Sequence, residues 1–147
     1  MSIQDQLLDA MKVAMKAKDS LRLTTIRMAR TALKNVEIDT RQELDEAAAI
    51  KVLSTLVKQR REAAEAYRET RPELAEKEEL EVVILQEFLP AQLSEAEIEA
   101  LVAKAVAESG AESMKDMGAV MKLVTPQTTG RADGKLVSNL VRKLLAG

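Results

Sequence analysis

The chain contains no cysteine and no histidine. Without cysteine there is no disulfide and no thiolate nucleophile, a usage that suits a reducing compartment. Without histidine the side chain that most often moves protons near neutrality is missing, and so is the commonest transition-metal ligand. Together the two absences weigh against zinc, haem, iron–sulfur and nucleophile–histidine chemistry. Tryptophan is absent too, and Tyr67 and Phe88 are the only aromatics. No aromatic residue interleaves with a basic patch, which disfavours stacking on unpaired bases. No eighteen apolar residues run together, so no membrane span is expected. The Met1–Lys18 segment carries Asp5 and Asp9 and is not built like a signal peptide. These features lead to the expectation of a soluble, cytoplasmic protein with no cofactor, no metal and no membrane partner.

What remains is aliphatic and charged. Of 147 residues, 46% are hydrophobic and 31% charged, the balance of a globular chain and not of a disordered one. The core must come from Leu, Val, Ile, Ala and seven Met. These residues, with Glu, Lys, Gln and Arg, are strong helix formers. No strand alternation, internal repeat or low-complexity segment is visible, and the expected fold class is all-α.

Helical spacing predicts seven segments. The first covers about Ile3 to Lys18, capped by Ser2, with Ile3, Leu7, Met11, Ala14 and Met15 inward. The second covers Leu21 to Asp39 behind Asp19 and Ser20, burying Leu23, Ile26, Leu33 and Val36. The third starts near Asp45 and turns Ile50, Leu53, Val57, Ala64 and Tyr67 inward until Thr70-Arg71-Pro72 stops it. A fourth, Pro72 to Phe88, has an expected apolar stripe of Leu80, Val83, Ile84 and Phe88. After Leu89-Pro90, Ser94-Glu95-Ala96-Glu97 is a capping box that opens a fifth helix, stopped by Gly110. Ser113 with Asp116 starts a short sixth, closed by Thr125-Pro126. Asp133 caps a last helix with Leu136, Val137, Leu140, Val141 and Leu144 inward. The expected organisation is an N-terminal four-helix lobe over residues 1–90 and a small three-helix lobe over 94–147.

The net charge of −2 is unevenly spread. Seven basic residues lie between Lys12 and Lys34 against Asp19 alone, and five Glu lie between Glu73 and Glu81 against Lys77. From Met114 onward six basic residues face only Asp116 and Asp133, so this is the net-positive part of the second half. The glutamates at 76, 78, 79, 81 and 87 are read as a solvated face, with Glu73 and Glu76 favouring the helix dipole. A di-metal bundle would need histidine partners that the chain lacks. The methionines at 11, 15, 114, 117 and 121 are read as filler of an irregular core. Gly130-Arg131-Ala132-Asp133-Gly134-Lys135 is either a phosphate-contacting loop at a helix start or simply a capped loop. It lacks the spacing that wraps a nucleotide's phosphates. The candidate RNA-binding residues are Lys122, Arg131, Lys135, Arg142 and Lys143, as phosphate ligands. A second candidate basic face comprises Arg27, Arg30, Lys34, Lys58, Arg60 and Arg61. Contacts of either kind would be to phosphate and shape. No catalytic residue is legible.

Several motifs carry a family resemblance. Leu21-Arg22-Leu23 with Arg27, Leu33-Lys34-Asn35-Val36-Glu37-Ile38, Lys58-Gln59-Arg60-Arg61-Glu62 and Glu87-Phe88-Leu89-Pro90-Ala91-Gln92-Leu93 resemble the YqeY family. So do Met117-Gly118-Ala119-Val120-Met121 and Gly130-Arg131-Ala132-Asp133-Gly134-Lys135. The match runs in order over the whole chain. That family is similar to the tail domain of the B subunit of the tRNA-dependent aspartyl/glutamyl amidotransferase, most clearly from Met117 to Leu144. Where that tail typically has a lysine and an Asn-Pro, this chain has Arg131 and Asp133-Gly134, and a negative Asp133 opposes a phosphate there. The resemblance implies a module that holds tRNA without catalysis. A carbon–nitrogen ligase label with glutamine as amide donor would attach only by association, because the chain has no ATP loop, nucleophilic Cys or amidase-type Ser-rich segment. The alternatives are a protein-interaction adaptor, favoured by a pI of about 5.4, and, less well supported, an accessory enzyme.

Overall fold

The computed structural model describes residues 1–146. Among them the secondary structure is entirely helical. It comprises α1 (Ile3–Ala17), α2 (Ser20–Thr40), α3 (Glu46–Tyr67), α4 (Pro72–Gln86), α5 (Glu95–Ser109), a 3₁₀ turn (Met114–Asp116), α6 (Met117–Thr128) and α7 (Gly134–Ala146). By its internal contacts the chain divides into two compact units, Met1–Pro90 and Ala91–Gly147.

The helix starts are set by short polar side chains that accept from N–H groups left open in the first turn. Ser2 Oγ accepts from Asp5 N at 3.1 Å, Asp19 Oδ1 from Arg22 N at 3.2 Å, and Asp45 Oδ1 from Ala48 N at 2.8 Å. Ser94 Oγ accepts from Glu97 N at 3.1 Å. Ser113 and Asp116 form the full reciprocal box, but around the 3₁₀ turn. Pro72 sits in the first turn of α4, where its missing N–H costs nothing. Gly110 ends α5 in the left-handed conformation, φ 70°. Lys18 and Arg41 end α1 and α2 the same way, at φ 57° and 56°, although neither is glycine.

The first unit closes over Ile3, Leu7 and Ala14 of α1, Ile26, Ala29 and Leu33 of α2, Ala49, Leu53 and Val57 of α3, and Val82, Ile84, Leu85 and Phe88 around α4. The stripe expected on α4 is rotated. Leu80 and Val83 are 48% and 59% exposed, whereas Glu81, Val82 and Leu85 are buried. The run Val82-Val83-Ile84-Leu85 places apolar groups all round the helix, so its periodicity selects no face. Contact with both α2 and α3 does the selecting. Tyr67 and Met15, also expected inside, lie at the surface.

The second unit packs Ile98, Val102 and Ala105 of α5, Val120 and Val124 of α6, and Val137, Val141 and Leu145 of α7. Leu145 takes the place expected of Leu144, which is exposed. Helix α6 does not close at Thr125-Pro126 but runs on to Thr128 with Pro126 inside it. Side chains add hydrogen bonds to backbone carbonyls along this stretch. Thr128 Oγ1 donates to Val124 O, Thr129 Oγ1 to Thr125 O, and Gln127 Nε2 to Leu123 O.

A left-handed non-glycine residue is strained by contact of its Cβ with the following carbonyl. Lys18→Gly should therefore raise stability by about 0.5–1 kcal/mol, after allowing for glycine's greater freedom in the unfolded chain. A higher urea midpoint at unchanged slope would show it.

Candidate nucleic-acid interface

Helices α6 and α7 contain no Asp or Glu, and Lys122, Lys135, Arg142 and Lys143 on them are all exposed. The spacing of seven puts Lys135 and Arg142 on one face of α7, about 10 Å apart along the axis, with Lys143 beside them. Arg142 Nη1 donates to Asn139 Oδ1 at 3.2 Å, one turn back.

The loop between the two helices has a structural task. Gly130 adopts φ 78° and is buried, and its carbonyl accepts from Gln92 Nε2 at 2.8 Å. Leu93 N donates to Arg131 O at 2.8 Å, and Arg131 Nε donates to Ala91 O at 3.2 Å. Arg131 is thus half-buried and braces the 91–93 segment, which sets it apart from the four exposed cations. Asp133 Oδ1 accepts from Lys135 N at 3.1 Å, so its carboxylate occupies the first turn of α7, where a phosphate would otherwise bind.

The second expected basic face is not one face. Arg27, Arg30, Lys34 and Lys58 are exposed and Arg61 is half-buried. Arg30 Nη1 turns to α1 and donates to Met11 Sδ at 3.2 Å. Arg60 is the correction: it is 8% exposed and belongs to the interior. Its Nε lies 3.5 Å from Glu81 Oε2, and its Nη2 donates to Met28 Sδ at 3.5 Å. The Nε contact is an ion pair by distance but is not aligned as a hydrogen bond. The spacing Leu53, Val57, Arg60, Ala64 already follows the inward face of α3, and that was the available signal.

The glutamates are also not one solvated face. Glu81 is buried, Glu87 meets Arg22 at 2.6 Å, and Glu79 meets Arg68 at 3.3 Å. Among the described residues no three acidic side chains gather as a metal would require. Burial pushes the Glu81 carboxyl above its ordinary range, Glu78 adds to the rise, and Arg60 opposes it. Of the methionines, Met11, Met117 and Met121 pack against the two cores as expected. Met15 and Met114 do not. The surface of the second unit also carries an apolar groove of about 530 Å³, lined by Glu99, Val102, Ala103, Leu140, Lys143 and Leu144. No helix among the described residues is long and apolar enough to cross a membrane.

Comparison with known proteins matches the model of the Yqey-like protein family over residues 4–145. The chain belongs to the YqeY family. Its curated relatives include the yeast proteins called altered inheritance of mitochondria protein 41, mitochondrial. The one from Lachancea thermotolerans is 43% identical over 103 residues, 67% of this chain and 54% of the relative. That from Eremothecium gossypii is 41% identical over 97 residues, 65% of this chain and 52% of the relative. The chain thus spans about half the length of these relatives. They are mitochondrial proteins by name, which overturns the cytoplasmic address expected from composition. Scarcity of cysteine and lack of long apolar runs describe a chemical environment and do not identify the organelle that provides it.

Two predictions concern the buried pair. Arg60→Met leaves Glu81 buried without its counter-charge and should cost about 3–5 kcal/mol, while Arg60→Met with Glu81→Leu should recover most of that. Urea unfolding of the three proteins checks this. Because the folded carboxyl titrates above its ordinary value of 4.5, folding favours its protonated form. Its contribution is fully present below that value and is lost as pH rises through the raised pKa. Glu81→Gln should therefore flatten the pH–stability curve above about pH 4.5.

Proposed function

We propose that the chain is a non-catalytic helical module that holds structured RNA, tRNA foremost, by its phosphates through the α6–α7 surface. One observation carries this: two consecutive helices expose Lys122, Lys135, Arg142 and Lys143 and contribute no carboxylate of their own. Cations on rigid helices meet a phosphate backbone without reading bases, and this suits a chain with two aromatics. The similarity of Gly118-x-Val120-Met121-Lys122 and the following helix to the amidotransferase B-subunit tail supports the same role. Arg131 acts mainly as a brace in this scheme and contributes least to binding. Glutamine-dependent amide transfer is not assigned to the chain, whose sequence offers no cysteine nucleophile and no ATP loop.

A second reading, an adaptor for a protein partner, is favoured by the α5–α7 groove. Its apolar lining of Val102, Ala103, Leu140 and Leu144 is the kind of surface that accepts an amphipathic helix.

Lys135→Glu with Arg142→Glu should abolish retention of tRNA at low salt. For the unaltered chain, log K should fall linearly with log salt, by about 0.7–0.9 per phosphate neutralised. Filter binding across a salt series measures both, and retention unchanged in the double variant would overturn the proposal. Leu144→Gln should leave RNA binding intact. Loss of a nuclease- and salt-resistant protein complex in that variant would establish the adaptor instead.

A further inference from the structure

Where α2, α3 and α4 meet, a buried cation is short of acceptors. The Arg60 guanidinium carries five N–H donors. It meets one Glu81 oxygen at 3.5 Å, without hydrogen-bond alignment at Nε. Its Nη2 donates to the thioether sulfur of Met28, a weak acceptor. Met28 itself is 42% exposed, so the residue that accepts from the buried guanidinium also reaches the surface. Among the described residues Met11 also accepts from an arginine, but Arg30 is exposed and its charge is solvated. Met15 and Met114 are exposed without a guanidinium at their sulfurs. In a chain with no cysteine, thioethers are the sulfur groups open to oxidants.

We propose that Met28 is a redox-modification site at which a peroxide converts the thioether to the sulfoxide and the new oxygen docks on the Arg60 guanidinium. A sulfur lone pair attacks one oxygen of hydrogen peroxide. The S–O bond forms as the O–O bond breaks, and the departing hydroxide takes the proton from the transferred oxygen and leaves as water. Sulfur loses two electrons and the peroxide gains them. Sulfoxide reductases return the thioether. Methionine oxidation usually damages packing because it places a polar group in an apolar setting. At Met28 the polarity of the change is the opposite of damaging. The side chain is half outside the core, and the sulfoxide oxygen, which carries partial negative charge, is a stronger acceptor for the guanidinium than the thioether sulfur it replaces. Oxidation therefore tightens the α2–α3 contact over the Arg60–Glu81 pair.

The test uses the full chain with Met15→Leu and Met114→Leu, treated with graded hydrogen peroxide and mapped by peptide mass spectrometry. Met28 should gain one oxygen atom. The melting temperature should rise by about 4 °C or more, as a hydrogen bond to a charged group implies. The Arg60 Nε–H resonance should shift, and sulfoxide reductases A and B should reverse both changes. In the same background with Arg60→Leu and Glu81→Leu, Met28 should still oxidise but the melting temperature should stay within about 1 °C. A Met28 that stays reduced while the exposed Met1 is converted would overturn the proposal. So would a melting temperature that falls or does not move on Met28 oxidation, or a rise that persists without Arg60.

Discussion

One buried ion pair constrains the first unit. Arg60 enters from α3, Glu81 from α4, and Met28 of α2 closes over the guanidinium. Removing a carboxylate and a guanidinium from water costs several kcal/mol each, and their mutual attraction offsets that only while both remain in place. The pair ties α3 to α4 at this point, because removing either partner leaves the other charge buried and uncompensated. Glu81 shares the inward face of α4 with Val82 and Leu85, while Leu80 and Val83 lie outside.

Charge is distributed along the chain in the same spirit. Helix α4 carries Glu73, Glu76 and Glu79 on its surface, while α6 and α7 carry cations alone. An acidic outer face repels a phosphate backbone, so the near-zero net charge does not argue against RNA contact. It reflects two regions of opposite sign. The second unit also has a sharper division than the first. Its loop residues Gly130 and Arg131 are committed to holding the 91–93 segment, and its exposed helix faces carry the cations. Those bonds tie the connection between α6 and α7 to the segment that precedes α5.

Much of this was legible from residue order. Ser2, Asp19, Asp45, Ser94, Ser113 and Asp133 all act near helix starts, because a cap depends on N–H groups only two or three residues away. Ile3, Leu7 and Ala14 of α1 and Ile26 and Leu33 of α2 followed from spacing, whereas the buried Thr25 and Ala29 of α2 did not. Membership of the YqeY family followed from motifs spread along the chain and is borne out over residues 4–145. The cytoplasmic address was misread, because composition reports a chemical environment that several compartments share. Met15, Tyr67 and Leu144 were misplaced, since each lies at the edge of a stripe where one residue's rotation decides between core and solvent.

By itself, then, the order of residues determined the helices, most of their caps, the aliphatic character of both cores and the absence of cysteine and histidine. These are local or additive properties. Only the tertiary structure decided which cations remain in water. Arg60 and Arg61 are neighbours of the same type, yet one is interior and the other half-buried at the surface. Arg131 resembles Lys135 in sequence but is held by a carbonyl 40 residues away. A side chain's charge is written in the sequence, but whether that charge reaches solvent depends on what a distant helix places beside it.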